Sequence, residues 1–268
     1  MHSIQTLLNK TLNSSGIELE NNLNELMVFV KTFEGEDNLK PIESALPQFA
    51  EYLLYNENST VSGCAISLFR RVTITGTTIQ TLIQLNKKPN WLVIEALSAV
   101  SEENWSSKIE LELIRCLNNE TVVEAAARAL YNIVYYIELP KTITALKNVL
   151  NSNNTAAIKH AVSTLCTLTK LNLYKIAVES LSAILKTSNN DELRLAITET
   201  LGWATDNGLE LLKITSKDFD PKVRQATINA IIGNYQENSE AIKILNDLST
   251  DTDNQVQYKA QYELDRLS

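Results

Sequence analysis

A short apolar pattern recurs seven times along this chain of 268 residues, at intervals of 30 to 36 residues. Each copy follows a polar turn rich in Asn and Asp and begins with an aliphatic residue. Further apolar or small residues stand mostly three or four, seven and eight positions later. Because a helix turns by about 100° per residue, these positions form one stripe about 140° wide, which a strand cannot produce. The copies begin at Val61, Leu92, Val122, Ile158, Leu193, Val223 and Val256.

A second, shorter segment with helical periodicity precedes each copy, and the polar turn separates the two. Side-chain oxygens of Asn and Asp accept hydrogen bonds from the unpaired amides at the start of a helix, so we expect these turns to cap the second helix. Pro221 and Pro140 suit a first helical turn, where no amide hydrogen is needed. The repeat unit is therefore predicted to be a helical hairpin. Its first helices are predicted over residues 41–55, 77–87, 106–118, 140–151, 172–187, 208–216 and 238–249.

In the sixth copy, Asp220 and Pro221 lead into Val223 and Arg224, and the small residue Ala226 follows. This pattern resembles the signature of HEAT-like repeats, which belong to the armadillo/HEAT superfamily. Degenerate versions of this pattern lie at residues 193–196 and 122–130. The resemblance covers roughly residues 41–268. It implies an all-α fold, a right-handed α-solenoid of about seven hairpins, in which stacked neighbours bury the apolar stripes that one hairpin cannot bury alone.

Members of this family often pair the Asp of one turn with the Arg that follows the Val of a neighbouring repeat. Only Arg194 and Arg224 occupy that arginine position in this chain. We therefore do not expect a continuous ladder, since the matching positions hold Ser62, Val93, Val123, Lys159 and Gln257.

Residues 1–40 lie outside the repeat and are predicted to form two helices, near residues 4–12 and 17–33. Terminal repeats of a solenoid need a polar outer face, so we expect an acidic N-terminal helical cap over 1–40 and the repeat solenoid over 41–268. A dedicated binding arm is the alternative for the first segment.

The composition excludes several kinds of chemistry. Seven glycines and five prolines are too few for the turns of an all-β fold, and no glycine-rich phosphate loop is present. The two histidines and three cysteines lie at spacings that do not suit a metal site. We expect no metal, no cofactor and no catalytic group, and we interpret the cysteines as buried structural residues, Cys64, Cys116 and Cys166.

The net charge of −8 is concentrated near the N-terminus, where residues 1–57 hold three lysines and nine carboxylates. Phosphate backbones are bound by clustered Lys and Arg, so nucleic acid is not expected as a partner, whereas a basic protein would be attracted. Neither a long apolar run nor a secretory leader is apparent. With the widely spaced cysteines, this favours a cytoplasmic protein that does not bind membranes.

Positions two, six and nine of each copy point away from the apolar stripe, into a groove if the second helices line the concave wall. Several of them hold aromatic or aliphatic residues, and Tyr and Trp are common anchors of protein interfaces. Packing against a neighbouring repeat explains the same residues equally well. Trp105 and Tyr135, at position thirteen of their copies, are added to this group. The candidate partner-binding residues are Ile94, Trp105, Glu124, Arg128, Tyr131, Tyr135, His160, Leu195, Glu199, Ile232 and Tyr258.

These features together favour a non-catalytic module that binds a protein partner through its concave face, as an acidic inhibitor, an immunity protein or an adaptor. HEAT-like repeats also occur in phycobilin lyases and in one group of DNA glycosylases, so the resemblance keeps an enzyme as an alternative. A glycosylase fits less well, because Glu124 and Glu199 would place negative charge in the groove. A structural or assembly role, with self-association through the end repeats, is the third alternative.

Overall fold

The computed structural model describes residues 4–32, 39–168, 171–202 and 208–267. Within these ranges the chain forms sixteen α-helices and two short 3-10 turns, and it contains no strand. The chain divides into two compact units, Met1–Tyr136 and Ile137–Ser268. None of the described helices combines the length and the hydropathy that a membrane span requires.

The first unit contains four helical hairpins. In each hairpin the two helices pack against each other, and successive hairpins stack first helix on first helix and second helix on second helix. This is the arrangement of an α-solenoid. The helices are α1 (Ile4–Leu12) with α2 (Gly16–Thr32), α3 (Lys40–Tyr55) with α4 (Ser59–Phe69), α5 (Gly76–Leu85) with α6 (Trp91–Leu97), and α7 (Ser107–Leu117) with α8 (Val123–Asn132).

The second unit repeats the same packing. Its first helices, like its second helices, contact one another from hairpin to hairpin. The helices are α9 (Pro140–Val149) with α10 (Thr155–Thr167), α11 (Leu171–Thr187) with α12 (Asp191–Leu201), α13 (Leu209–Thr215) with α14 (Pro221–Asn234), and α15 (Ser239–Leu248) with α16 (Asn254–Leu267).

The prediction of an all-α fold built from stacked helical hairpins is confirmed. The seven predicted first helices begin and end within two residues of α3, α5, α7, α9, α11, α13 and α15. The described part of residues 1–40 contributes one further hairpin, because α1 packs on α3 and α2 packs on α4 as the later hairpins do. The division into a cap over 1–40 and a solenoid over 41–268 stays a prediction.

Asn and Asp residues cap the second helices in most of the turns, as expected, whereas the N-cap residue of α8 is Val122 and makes no side-chain cap hydrogen bond. Asn58, Asn90, Asn154, Asn190 and Asp220 each accept a hydrogen bond from a backbone amide in the first turn of the helix that follows. These bonds satisfy amides that would otherwise have no partner, and each typically stabilises a helix by about 1 kcal/mol.

A second acceptor stands two residues before several of these caps. The amide of Asp220 donates to Oδ1 of Asp218 at 2.9 Å, and the amide of Asp253 donates to Oδ1 of Asp251 at 2.8 Å. Ser188 plays the same part earlier in the unit, since its hydroxyl accepts from the amide of Asn190. Each of these three turns is therefore held by two side-chain acceptors that stand two residues apart.

Two arginines connect neighbouring hairpins of the second unit through these turns. Arg194 donates to both carboxylate oxygens of Asp218, at 2.7 and 3.2 Å, and its side chain is almost completely buried. Arg224 donates to both oxygens of Asp251, at 2.8 Å each. Bidentate pairs of this kind are among the strongest hydrogen-bonded contacts in proteins. We call each of these pairs a rung. No continuous ladder was expected, and both arginines that occupy the family's position form a rung.

A rung needs both an arginine in one hairpin and an aspartate in the turn of the next. The hairpin before Arg194 offers Lys159 instead, and the turn that follows Lys159 supplies the hydroxyl of Ser188 rather than a carboxylate. The hydrogen bond from Arg224 holds the pKa of Asp251 below its ordinary value, and the bond to Asp218 raises the pKa of Arg194. Both shifts favour the charged forms.

Small residues let the second helices of the later hairpins approach closely. A Cβ atom added to Gly233 on α14 would lie 3.0 Å from the backbone oxygen of Gly202, and one added to Gly202 would lie 3.2 Å from Cα of Ala230. Backbone atoms cannot move aside as a flexible side chain can. Glycine at these positions therefore follows from packing, not from an unusual backbone angle.

We predict that Gly233→Ala lowers the free energy of unfolding by about 1–2 kcal/mol, because its methyl group forces α12 and α14 apart. The matched control is Gly63→Ala on α4, where a Cβ atom meets nothing within 4 Å. This control should stabilise the protein by about 0.5–1 kcal/mol through its higher helix propensity. Urea unfolding followed by circular dichroism measures both. Stabilisation by both substitutions would contradict the close approach.

We also predict that Asp251→Asn lowers the free energy of unfolding by about 2 kcal/mol at pH 7, since it leaves Arg224 without its carboxylate. The pKa of Asp251 is lowered in the folded state, so its contribution is complete above the unfolded pKa of about 3.9 and is lost as the pH falls through the folded value. The difference from the unmodified protein should therefore shrink below about pH 4. Asp247→Asn, at an exposed position on α15, is the control. A difference that persisted unchanged in acid would refute the assignment.

Candidate partner-binding surface

The second helices of each unit line up into a continuous surface, which we call the second-helix wall. In the first unit it is formed by α2, α4, α6 and α8, and in the second unit by α10, α12, α14 and α16. Most of the residues predicted from the sequence to bind a partner lie on these helices or directly after them.

The centre of the first wall is an ion-pair network around Glu95. Glu95 lies on α6 and its side chain is only 4% exposed. Arg70, at the C-terminal end of α4, donates from Nη2 to Oε2 of Glu95 at 2.8 Å. Arg128, on α8, donates to Oε1 from Nε at 2.7 Å, and its Nη2 lies 2.6 Å from the same oxygen. The network therefore connects three successive hairpins.

A carboxylate as buried as Glu95 has to be paired, because transfer of an isolated charge out of water is very costly. One guanidinium would neutralise the carboxylate of Glu95, and the network supplies two. The side chains of Arg70 and Arg128 are 59% and 37% exposed, so both keep contact with solvent. We call Arg70 and Arg128 the arginine pair, and Glu95 is its buried carboxylate.

Aromatic side chains lie beside this network. Tyr131 follows Arg128 by three residues on α8, a spacing that places both on one face of the helix. Tyr135 lies in the 3-10 turn after α8 and is 63% exposed. Glu124, one turn before Arg128, is also exposed, and its carboxylate lies 3.8 Å from Nη1 of Arg128.

Trp105 is partly buried and packs against Tyr136, with ring centroids 5.5 Å apart and ring planes inclined by 35°. Its indole N–H is buried and has no hydrogen-bond partner among the described residues. The ring therefore takes part in packing within the first unit. This favours the packing interpretation of Trp105 over its predicted role in binding a partner.

The second wall carries a different set of side chains. His160, Leu195 and Ile232 are partly buried, whereas Glu199 and Tyr258 are exposed. Tyr258 is 73% exposed, and Tyr262, one helical turn later on α16, is exposed as well. Tyr262 stands at position six of the seventh copy, which was predicted to point away from the apolar stripe, although it was not among the candidate partner-binding residues.

Ile94 is a correction to the predicted set, because its side chain is fully buried. The prediction assumed that each second helix is apolar on one side only. However, α6 is only seven residues long and packs against α3, α4, α5 and α8. Every residue from Leu92 to Leu97 is consequently buried, and Ile94 is not available to a partner.

Glu95 is the functional candidate that the sequence interpretation missed. The signal was present, since a glutamate stands in the middle of the apolar run Leu92 to Val100. Acidic residues are almost never fully buried unless they are paired, so this glutamate required a cationic partner. The sequence alone could not show that Arg70 and Arg128, from two other hairpins, supply it.

The cysteines have the environment of packing residues. Burial raises the pKa of the Cys166 thiol to about 12 and raises the pKa of Cys116 as well. Cys64 was expected to be buried, but it is only partly so, and its thiol donates to Oδ1 of Asn24 at 3.3 Å. Among the described residues, no group of three or more His, Cys, Asp and Glu is placed to hold a metal ion.

No protein-family model and no curated protein matches the chain. Solved structures to which it is similar include an engineered protein, at 17% identity and a TM-score of 0.45, over 97% of this chain and 77% of that one. A designed armadillo repeat protein in complex with the peptide (KR)4 is 21% identical, with a TM-score of 0.30 and full coverage of both chains.

The structure of the Pds5–Scc1 complex is a third similar one, at 14% identity and a TM-score of 0.40. The match covers 96% of this chain and 55% of that one. The hairpin packing within each unit defines the fold.

We predict that Glu95→Gln lowers the free energy of unfolding by about 1–3 kcal/mol, because two guanidiniums then adjoin a neutral amide. Gln keeps the size of the side chain, so the loss reports on charge and not on packing. Glu124→Gln is the control, and as an exposed change it should cost less than about 0.5 kcal/mol. Urea unfolding measures the free energy of unfolding of both variants. Equal values for Glu95→Gln and Glu124→Gln would show that the network does not stabilise the fold.

Proposed function

We propose that this protein is a non-catalytic binding module that holds a protein partner against its second-helix walls. The observation that carries the proposal is the presence of exposed tyrosines on both walls, Tyr131 and Tyr135 on the first, Tyr258 and Tyr262 on the second. A large aromatic ring at the surface offers a partner much apolar area at a small cost in conformational entropy.

The packing of the walls supports the same function. The second helices are fixed by caps, by close backbone contacts and, in the second unit, by the two arginine rungs. The backbone of such helices is held in place, so a partner can bind without ordering the wall itself. Two of the similar solved structures are themselves described as complexes, one with a peptide and one with Scc1.

The charge distribution extends the proposal to the kind of partner. Most of the net negative charge of the chain lies in residues 1–57. A basic protein would be steered toward this region, as expected for an acidic inhibitor, an immunity protein or an adaptor. An association rate that stayed the same with added salt would contradict this part of the proposal.

We predict that the double variant Tyr131→Ala with Tyr135→Ala weakens binding of the partner at least tenfold. Tyrosines that become buried when a partner binds are frequent hot spots of protein interfaces. The partner is first captured with the unmodified protein and identified by mass spectrometry, and its affinity is then measured with purified components. Tyr258→Ala with Tyr262→Ala tests the second wall in the same way. Both tyrosines of a wall are changed together, so that one tyrosine cannot maintain binding when the other is removed.

Two controls remove exposed apolar residues from first helices, Leu111→Ala on α7 and Ile176→Ala on α11. Both should bind the partner with unchanged affinity. The proposal is wrong if the partner binds both tyrosine variants as tightly as the unmodified protein, or if the controls lose binding to the same extent.

A further inference from the structure

The arginine pair carries more positive charge than its buried carboxylate needs. Arg70 and Arg128 together hold two positive charges, and Glu95 holds one negative charge. Glu124 offsets the second positive charge from a distance, since its carboxylate lies 3.8 Å from Nη1 of Arg128 and accepts no hydrogen bond from that atom.

Hydrogen-bond donors of the pair also remain unused. Among the described residues, the guanidinium of Arg70 donates one hydrogen bond, from Nη2 to Glu95, although it has five N–H groups. Arg128 uses Nε and Nη2 on Glu95, while its Nη1 lies 3.8 Å from Glu124, too far for a hydrogen bond. Both side chains are substantially exposed, so a group from solution can reach these donors.

Glu95 holds the two guanidiniums in place. Arg70 binds one oxygen of its carboxylate and Arg128 binds the other, so the two cationic groups are kept side by side. Glu95 itself is fixed because α6 is enclosed by its neighbouring helices. Donors that are already ordered bind an anion with a smaller loss of entropy than two freely moving arginines would.

From these contacts we propose that Arg70 and Arg128 form a binding site for a carboxylate of a protein partner, presented by an acidic segment. A carboxylate brings a single negative charge, whereas a doubly charged phosphate would be repelled more strongly by Glu124 beside Arg128. Arginine suits this role, because its planar N–H groups match the two oxygens of a carboxylate. Glu95 is a positioning residue for the site.

The neighbouring tyrosines define the rest of the recognised segment. Tyr131 lies on the same face of α8 as Arg128, and Tyr135 is exposed just beyond it. The segment that fits this surface carries an Asp or Glu next to an apolar or aromatic residue. The inference rests on the proposed function and deepens it, since it assigns one anchoring group on the first wall. The attraction of a basic partner comes from the net charge of residues 1–57, which include α2 of the same wall, whereas this site binds one carboxylate of the partner.

The test uses the full chain and short peptides as probes. One peptide is acetyl-Ala-Leu-Glu-Phe-Ala-amide, and two others replace its Glu by Gln or Lys; inorganic phosphate is the fourth probe. The Nε–H signals of the arginine side chains are followed by nuclear magnetic resonance and are assigned through Arg70→Lys and Arg128→Lys. We expect the Glu peptide to shift both signals with a dissociation constant of about 1 mM, and the Gln peptide to bind about tenfold more weakly.

Variants locate the site. Arg70→Gln leaves the pair between Arg128 and Glu95 intact, so the protein should stay folded while its affinity for the Glu peptide falls about tenfold. Arg71→Gln is the matched control, since Arg71 is the next residue, is exposed, and makes no ion pair among the described residues. It should not change the affinity. Arg70→Lys keeps the charge and should recover part of the binding.

Three results would overturn the inference. These are equal binding of the Glu and Gln peptides, tighter binding of phosphate than of the Glu peptide, and equal losses in the Arg70→Gln and Arg71→Gln proteins. The proposed function is tested separately, by the tyrosine variants. A partner whose affinity depends on Tyr131 and Tyr135 but not on Arg70 would leave the function intact and remove this site.

Discussion

The structure depends on the burial of one apolar stripe per helix against the corresponding helix of the next hairpin. A single hairpin of two short helices exposes too much of this stripe to be stable, whereas four hairpins in register enclose it. This constraint explains why the repeat keeps its length within a few residues while much of its sequence varies. It also explains why small residues recur where second helices meet, as at Gly202 and Gly233.

Buried ionic groups fix the register of this stacking. Apolar stripes can slide, but a bidentate pair such as Arg224 with Asp251 forms at one relative position only. The first unit uses Glu95 for the same purpose, with arginines from the hairpins on both sides. Breaking such a contact leaves a charge without its partner, so these residues specify the arrangement more sharply than the apolar core does.

Periodicity predicted the helices, and turn chemistry predicted the caps, because both depend on residues close together in sequence. The two rungs at Arg194 and Arg224 were also predictable, since a family resemblance supplied the pairing rule. The burial of Ile94 was not predictable, because α6 is enclosed by four other helices. The periodicity of a single helix predicts one apolar face and cannot show how many neighbours the helix has. The partners of Glu95 were equally hidden, as they lie 25 and 33 residues away in other hairpins.

The two rungs have a consequence for how such a chain can grow. The sixth repeat carries both an acceptor, Asp218, and a donor, Arg224. Duplicating that repeat would add one of each, and deleting it would bring Arg194 opposite Asp251, so electrostatic matching would survive either event. A gene segment that encodes this repeat is therefore exchangeable as a unit, whereas loss of the segment that holds Glu95 would remove the carboxylate that Arg70 and Arg128 share.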